Sequence, residues 1–272
     1  MKKIAILGPE NTYSDLCFQQ YKTLTQQEIM PSYYNSIHKV VEEGIKCGYA
    51  ILPFENTLDG YVQHHMDLLL KSGLKIDAEI GLQITFDFVY KSKAKHLYVQ
   101  YVTKNQCLDF FEMHPEMKII ITDSNVESYE RYHTDPLGAA IVPHHLVQKD
   151  DLAIREVADE KDNHTRFLIL KKGELDLKKY HTLDPFKVSL VITPFKDRPG
   201  LLFDILKSFA EHHVNLISIM SRPTKKRLGT YHFFIELMSD STSYRVVQSI
   251  LEKLKHEFDV NILGLYLSLI HI

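Results

Sequence analysis

The 272-residue sequence predicts an α/β fold with two lobes around a cleft, followed by a ferredoxin-like βαββαβ module. Three observations carry that prediction. Short apolar strands alternate with helical stretches from Lys3 to Val142, the pattern of parallel sheets with helices on both faces. Ile84 to Tyr90 leads away from the first units and Thr165 to Leu170 returns, an excursion that implies two lobes joined by crossing strands. Beyond the charged, patternless stretch Lys171 to Asp184, closed by Pro185 and read as a linker, the periodicity restarts.

Lys3 to Leu7 reads as a strand, Gly8-Pro9-Glu10-Asn11 as a turn and Thr12 to Tyr21 as a helix. Tyr49 to Pro53 is a second strand, with Glu55 to Gly60 as its loop and Tyr61 to Lys71 as its helix. Lys118 to Ile121 is a third, followed by a loop through Ser124-Asn125 and a helix to about Tyr132. Ala139 to Val142 is a strand ended by Pro143 and followed by a short helix. In the last part, Val188 to Thr193 is a strand, and Pro199-Gly200 opens a helix with Leu202, Ile205, Leu206 and Phe209 on one face. Strands follow at Asn215 to Ser221, stopped by Pro223, and at Tyr231 to Leu237. A helix carries Val247, Ile250, Leu251 and Leu254, and Val260 to Leu267 is the final strand. The order βαββαβ in roughly 80 residues is a ferredoxin-like module.

Composition removes several classes of function. The net charge is -3, from 32 basic and 35 acidic residues, and no Lys/Arg stripe advertises a nucleic-acid partner. The run Lys225-Lys226-Arg227 beside Gly229 reads as a solvated hairpin turn. The apolar stretch Ile4 to Leu7 is too short for a signal-peptide core and no later run is long enough to span a bilayer. Cys17, Cys47 and Cys107 lack paired spacing and read as reduced thiols of a cytoplasmic protein. Fifteen histidines include the doublets His64-His65, His144-His145 and His212-His213, but adjacent side chains on a helix point about 100° apart. Neither metal nor cofactor is expected.

The chemistry gathers in loops at the carboxyl ends of strands, where open α/β sheets place their ligands. Thr12 and Ser14 stand at a helix start. There they serve either as caps or, with the free amides, as holders of a carboxylate or phosphate. Glu55-Asn56-Thr57 and Ser124-Asn125 repeat the pattern, and three such ends facing one cleft point to a small anionic ligand. No Gly-x-Gly-x-x-Gly or Gly-x-x-x-x-Gly-Lys is present, which argues against nucleotides. Glu55 reads as a general base or as an architectural carboxylate. Arg166 reads as a fork for a substrate carboxylate or as an ion-pair partner of Asp162 or Glu160. Thr165, at the entrance of the strand that ends Leu168-Ile169-Leu170, offers a hydroxyl beside that guanidinium.

Gly8-Pro9 with Thr12-Tyr13-Ser14, Pro53-x-Glu55-Asn56 with Gly60, and Asn163-x-Thr165-Arg166-Phe167 resemble, in order, the signature segments of prephenate dehydratases. The last part is similar to the ACT domain those enzymes carry, through Asp197 to Leu202 and Asn215 to Pro223. The resemblance implies a periplasmic-binding-protein-like catalytic domain over residues 1–180, in lobes of about 1–80 with 164–180 and about 81–163. It implies an ACT regulatory domain over 186–268. It further implies a cytoplasmic lyase that converts prephenate to phenylpyruvate in phenylalanine biosynthesis, without cofactor or metal. With no chorismate mutase region ahead of it, the expectation is a monofunctional enzyme, a homodimer or homotetramer.

In that reading Thr165 assists the departing hydroxyl and Arg166 holds a carboxylate, while Thr12, Ser14, Glu55, Asn56, Thr57, Ser124, Asn125 and Phe167 form the substrate site. Gly200, Leu201, Leu202, Met220, Ser221, Arg222 and Pro223 form a site for a phenylalanine effector. The chain departs from the family pattern at Asn11 and Leu201, and at Thr57, Asn125 and Met220, where Gly, Ala, Ser, Thr and Glu are usual. The last of these removes a carboxylate from the effector motif. Alternatives are a non-catalytic small-molecule sensor, and a related lyase that acts on arogenate or decarboxylates prephenate without aromatisation.

Overall fold

The computed structural model describes residues 2–175, 185–225 and 229–267. They fall into two compact units, one of Met1–Val40, Ile51–Met66 and Gly81–Phe167, the other of Val41–Ala50, Asp67–Ile80 and Leu168–Ile272. Residues 176–184 of the expected linker, Lys226 and Arg227 of the basic run, and residue 268 lie outside the described residues.

The first unit opens with β1 (Lys2–Leu7), α1 (Tyr13–Thr25) and β2 (Ile29–Tyr34), and β1 and β2 pair in parallel. α1 starts at Thr12 because its hydroxyl caps the Asp15 amide, and it ends at Gln26, whose φ of 51 turns the chain left-handed. α2 (Ile37–Cys47) leads to β3 (Tyr49–Asn56), which a turn joins to the two-residue β4 (Gly60–Tyr61). Gly60 closes that turn with φ 72, a conformation glycine adopts without strain. α3 (Gln63–Ser72) and β5 (Lys75–Gln83) follow.

A second sheet then forms from β6 (Phe86–Tyr90), β7 (His96–Gln100), β8 (Lys118–Thr122), β9 (Gly138–Pro143) and β10 (Ala153–Ile154), in the order β10-β6-β9-β7-β8. β7 runs parallel to β8 and β9, whereas β6 runs antiparallel to β9, so this sheet is mixed where sequence alternation implied a parallel one. β6 enters directly from β5 through Ile84 and Thr85, without a crossover helix to reverse it. Its helices are the short α4 (Tyr101–Asn105) and α5 (Leu108–Met113), and α6 (Asn125–Thr134). Phe86, Phe88, Leu97, Val99, Phe110 and Ile141 pack on one face and Val89, Tyr129, Tyr132 and Val142 on the other, as buried cores on both sides. β11 (His164–Lys171) carries the chain back.

The second unit contains the ferredoxin-like module, β12 (Phe186–Pro194), α7 (Leu201–Ala210), β13 (Leu216–Pro223), β14 (Tyr231–Ser239), α8 (Tyr244–Leu254) and β15 (Phe258–Tyr266). Its strand order is β13-β14-β12-β15, antiparallel throughout. The inner faces of α7 and α8, through Ile205, Phe209, Val247, Ile250, Leu251 and Leu254, close its core against Val188, Leu190, Ile192, Ile235 and Leu237. β15 also meets β5, with Gly264 opposite Ile76. The buried Glu79 of β5 accepts from Lys187 Nζ of β12 at 2.6 Å, a charge pair that satisfies both groups away from water.

Candidate active site

A cavity of about 440 Å³ lies in the first unit, at the ends of β1, β3, β7 and β8 and the start of β11. Each loop builds its own rim before it offers anything to a ligand. In the first, Thr12 Oγ1 accepts from the Asp15 amide at 3.4 Å and lies 3.0 Å from Pro9 O, to which it donates. Asn11, at φ 66, donates its amide to Asp15 Oδ2, and Tyr33 donates to Asp15 Oδ1 at 2.6 Å. The Thr12 hydroxyl is therefore spent on the helix start. Ser14 is buried and lines the cavity, and its hydroxyl makes no side-chain hydrogen bond among the described residues.

At β8, Ser124 Oγ accepts from Glu127 N at 3.1 Å while Glu127 Oε2 accepts from Asp123 N at 2.8 Å, a reciprocal cap of α6. Asn125 Oδ1 accepts from Thr103 Oγ1 at 2.8 Å, which leaves its Nδ2 hydrogens uncommitted. Gln100, at the end of β7, takes the Val102 and Thr103 amides on Oε1 at 2.8 and 3.1 Å, so its Nε2 is likewise uncommitted.

Asn56 and Thr165 line the cavity side by side. Asn56 Oδ1 accepts from the amides of Leu58 and Asp59 at 2.9 and 3.2 Å, which fixes the amide's orientation. Its Nδ2 then lies 2.7 Å from Asn163 Oδ1 and 3.0 Å from Thr165 Oγ1. The Thr165 oxygen accepts, and its own proton is free for a ligand. Thr57 serves the same join from behind: its Oγ1 accepts from His164 N at 2.9 Å and donates to Asp162 O at 3.1 Å.

Of the residues expected from sequence, Thr12, Ser14, Asn56, Ser124, Asn125, Thr165 and Phe167 line the cavity, while Glu55, Thr57 and Arg166 do not. Arg166 is buried. Its Nε lies 3.0 Å from Glu55 Oε2, off the line of an ideal hydrogen bond, so the contact is chiefly an ion pair. Nη2 donates to Tyr61 OH at 3.4 Å, and the guanidinium stands 5.4 Å from the Phe54 ring centre and 5.6 Å from that of Tyr61. The ion-pair partner is thus Glu55, not the neighbouring Asp162 or Glu160.

Gln100, Thr103, Gln106, Asp59 and Asp123 also line the cavity and were absent from the sequence-based set. Gln100 ends β7 and Thr103 lies in α4; the sequence signal for the pair is the five-residue alternation His96 to Gln100 that ends at an amide. Most of the wall is apolar, including Leu7, Val62, Ile84 and Phe86, and no Lys, Arg or His contributes to it among the described residues. Tyr13 donates its hydroxyl to Thr85 O at 2.8 Å, and burial pushes its phenol pKa far up, so it stays neutral. The site thus offers neutral donors, hydroxyls and amides, in a largely apolar wall that also carries the carboxylates of Asp59 and Asp123.

The family model described as Prephenate dehydratase matches residues 4–175. The chain belongs to the prephenate dehydratase family. The ACT domain model matches residues 196–255. The prephenate dehydratase of Methanocaldococcus jannaschii is 31% identical over 97% of this chain and 98% of its own. The crystal structure of prephenate dehydratase from Staphylococcus aureus subsp. aureus Mu50 superposes with a TM-score of 0.80 at 25% identity, covering 98% of this chain and 100% of its own. Prephenate dehydratase from Arthrobacter aurescens, solved in complex with L-Phe, gives 0.80 at 25% identity over 97% of this chain and 89% of its own.

Within the family's ACT region, Gly200 caps α7 at φ 81, Leu201 is buried in the core and Leu202 is exposed. Met220, Ser221, Arg222 and Pro223 end the edge strand β13. Arg222 Nη2 lies 3.0 Å from Asp67 Oδ2 on α3, and Lys225 Nζ 2.6 Å from the same oxygen.

Proposed function

We propose that this chain converts prephenate to phenylpyruvate, with loss of water and carbon dioxide. The observation that carries the reading is the Asn56–Thr165 hydrogen bond, in which Thr165 accepts and keeps its proton for a ligand in the cavity it lines. In the reaction the bond to the ring carboxylate breaks, its electrons aromatise the ring, and the ring hydroxyl leaves. Thr165 donates a hydrogen bond to that oxygen as charge develops, and the proton that completes water comes ultimately from solvent. A positioned acid contributes roughly 10²–10⁴-fold. Threonine, a weak acid, sits in that role as a transition-state donor.

Ser14, Ser124, Asn125 Nδ2 and Gln100 Nε2 are assigned to the two carboxylates, with the N-termini of α1 and α6 adding favourable dipoles. The apolar wall weakens hydration of the carboxylate that departs as neutral carbon dioxide. Glu55 and Arg166 are read as positioning residues that hold the start of β11, and Thr57 as their neighbour in that task. The Arg166 charge acts through space rather than as a fork on the substrate.

The same reading places the protein in cytoplasmic phenylalanine biosynthesis, with residues 1–180 catalytic and 186–268 regulatory. L-phenylalanine acts as effector, a reading supported by the L-Phe complex of the Arthrobacter relative, and the chain assembles as a dimer or tetramer. Purified protein incubated with prephenate at neutral pH should form phenylpyruvate. No turnover above the spontaneous rate sinks the proposal, and faster turnover of arogenate reassigns the substrate. Titration with phenylalanine should change rate and oligomer size; a flat response would mean that Leu201 and Met220 have cost the effector site.

A further inference from the structure

His38 sits in the first turn of α2 and His64 in the first turn of α3, both in the first unit and both exposed. Their Nε2 atoms are 2.9 Å apart, with ring centres 4.7 Å apart and planes tilted by 57°. One route to such a contact is a shared proton, with one ring donating and the other accepting. The same spacing also suits a metal ion. Two nitrogens about 2.0–2.1 Å from one ion lie ~2.9 Å apart in cis positions of a square-planar or octahedral site, and ~3.4 Å apart in a tetrahedral one.

We propose that His38 and His64 form a two-histidine site for a Cu(II) or Ni(II) ion, with water completing the coordination. The argument against the His64-His65 doublet as a chelate is untouched, because the second ligand comes from another helix. His65 is committed elsewhere: its Nδ1 lies 2.5 Å from Pro53 O, in hydrogen-bond contact with it. Among the described residues no three or more His, Cys, Asp or Glu form a group that could hold a metal ion, so the site rests on these two imidazoles. Exposure lets both rings turn about χ2 to bring their lone pairs onto a common ion. Imidazole nitrogens suit both metals, and copper should bind more tightly than nickel. The bound ion would tie the first turns of α2 and α3 together.

The test is titration calorimetry of the full chain with nickel chloride, and electron paramagnetic resonance with copper(II). One ion per chain, with nitrogen coupling in the copper spectrum, is expected. His38→Ala and His64→Ala should each weaken binding by at least about tenfold, since even outer-shell changes cost 10–100-fold. His65→Ala and the double variant His144→Ala/His145→Ala should bind as wild type does. Circular dichroism confirms that the two surface variants remain folded. Undiminished binding in either His38→Ala or His64→Ala overturns the proposal, as does no nickel binding up to about 1 mM.

Discussion

Thr165 and Asn56 share one hydrogen bond, and its direction decides what the threonine can do. Because Asn56 Oδ1 is held by two backbone amides, its Nδ2 must donate and Thr165 must accept. Thr165→Ala should lower kcat by roughly 10²-fold or more while leaving the fold intact, and Thr165→Ser should recover part of the rate. Equal kcat for wild type and the alanine variant would remove Thr165 from the chemistry. Asn56→Asp makes a sharper case, since a carboxylate can only accept. The Thr165 proton would turn towards it and away from the ligand, so kcat should fall, and the melting temperature should fall too because the new carboxylate oxygen faces Asn163 Oδ1. Unchanged kcat in that variant would show that the bond's direction is irrelevant. At this scale residue type and strand-end position single out Thr165, Asn56, Ser14 and Ser124 in the sequence, and the fold gathers all four at one cavity. The sequence could not disclose that Arg166 pairs with Glu55, because that partner lies 111 positions earlier on β3 (166 less 55) and meets it only once the strands assemble.

Among the elements, the strands with apolar runs were legible and β5 was not. β5 alternates Ile76, Ala78 and Ile80 with Asp77 and Glu79, which looks half-exposed in isolation; yet Glu79 is buried, because Lys187 reaches it from β12. β2, β7, α4 and α5 escaped for a related reason, since short elements with mixed faces acquire their pattern from neighbours, whereas the 11-residue α2 is amphipathic in its own right. The loops between elements were easier, since Ser124 and Glu127 form a cap that sequence spacing announces. Where β15 crosses β5, backbone proximity itself is the constraint. A Cβ on Gly264 would lie 2.7 Å from Ile76 O and 2.7 Å from Ile76 Cβ. Gly264→Ala should therefore destabilise the second unit by about 1–3 kcal/mol, seen as a lower denaturation midpoint with unchanged slope. Wild-type stability in that variant would mean that the two strands separate at little cost.

For the whole molecule, pH and effector response follow from groups that no single motif contains. Burial lowers the pKa of His65 and His145, only partly offset by the Pro53 and Asn11 carbonyls they meet. The unfolded chain takes up protons on these rings near the ordinary value of about 6.5, before the folded chain does. Stability should thus be full above that pH and fall as pH drops below it, and His145→Asn should flatten the decline in urea titrations between pH 5 and 7. An identical slope in the variant would acquit His145. The effector response has a candidate route in the second unit. Burial raises the Asp67 pKa, but Lys225 and Arg222 outweigh that effect and hold it below the usual carboxylate value. Arg222 belongs to the segment proposed to bind phenylalanine, and Asp67 lies on α3, whose first turn follows the cavity-lining Val62. An effector that drew Arg222 away would leave Asp67 with one cationic partner instead of two and would shift the balance of forces on α3. Asp67→Asn should then keep kcat and KM near wild type in the absence of phenylalanine, yet blunt the change that phenylalanine produces in initial rate. A full phenylalanine response in Asp67→Asn would show that the signal travels by another path.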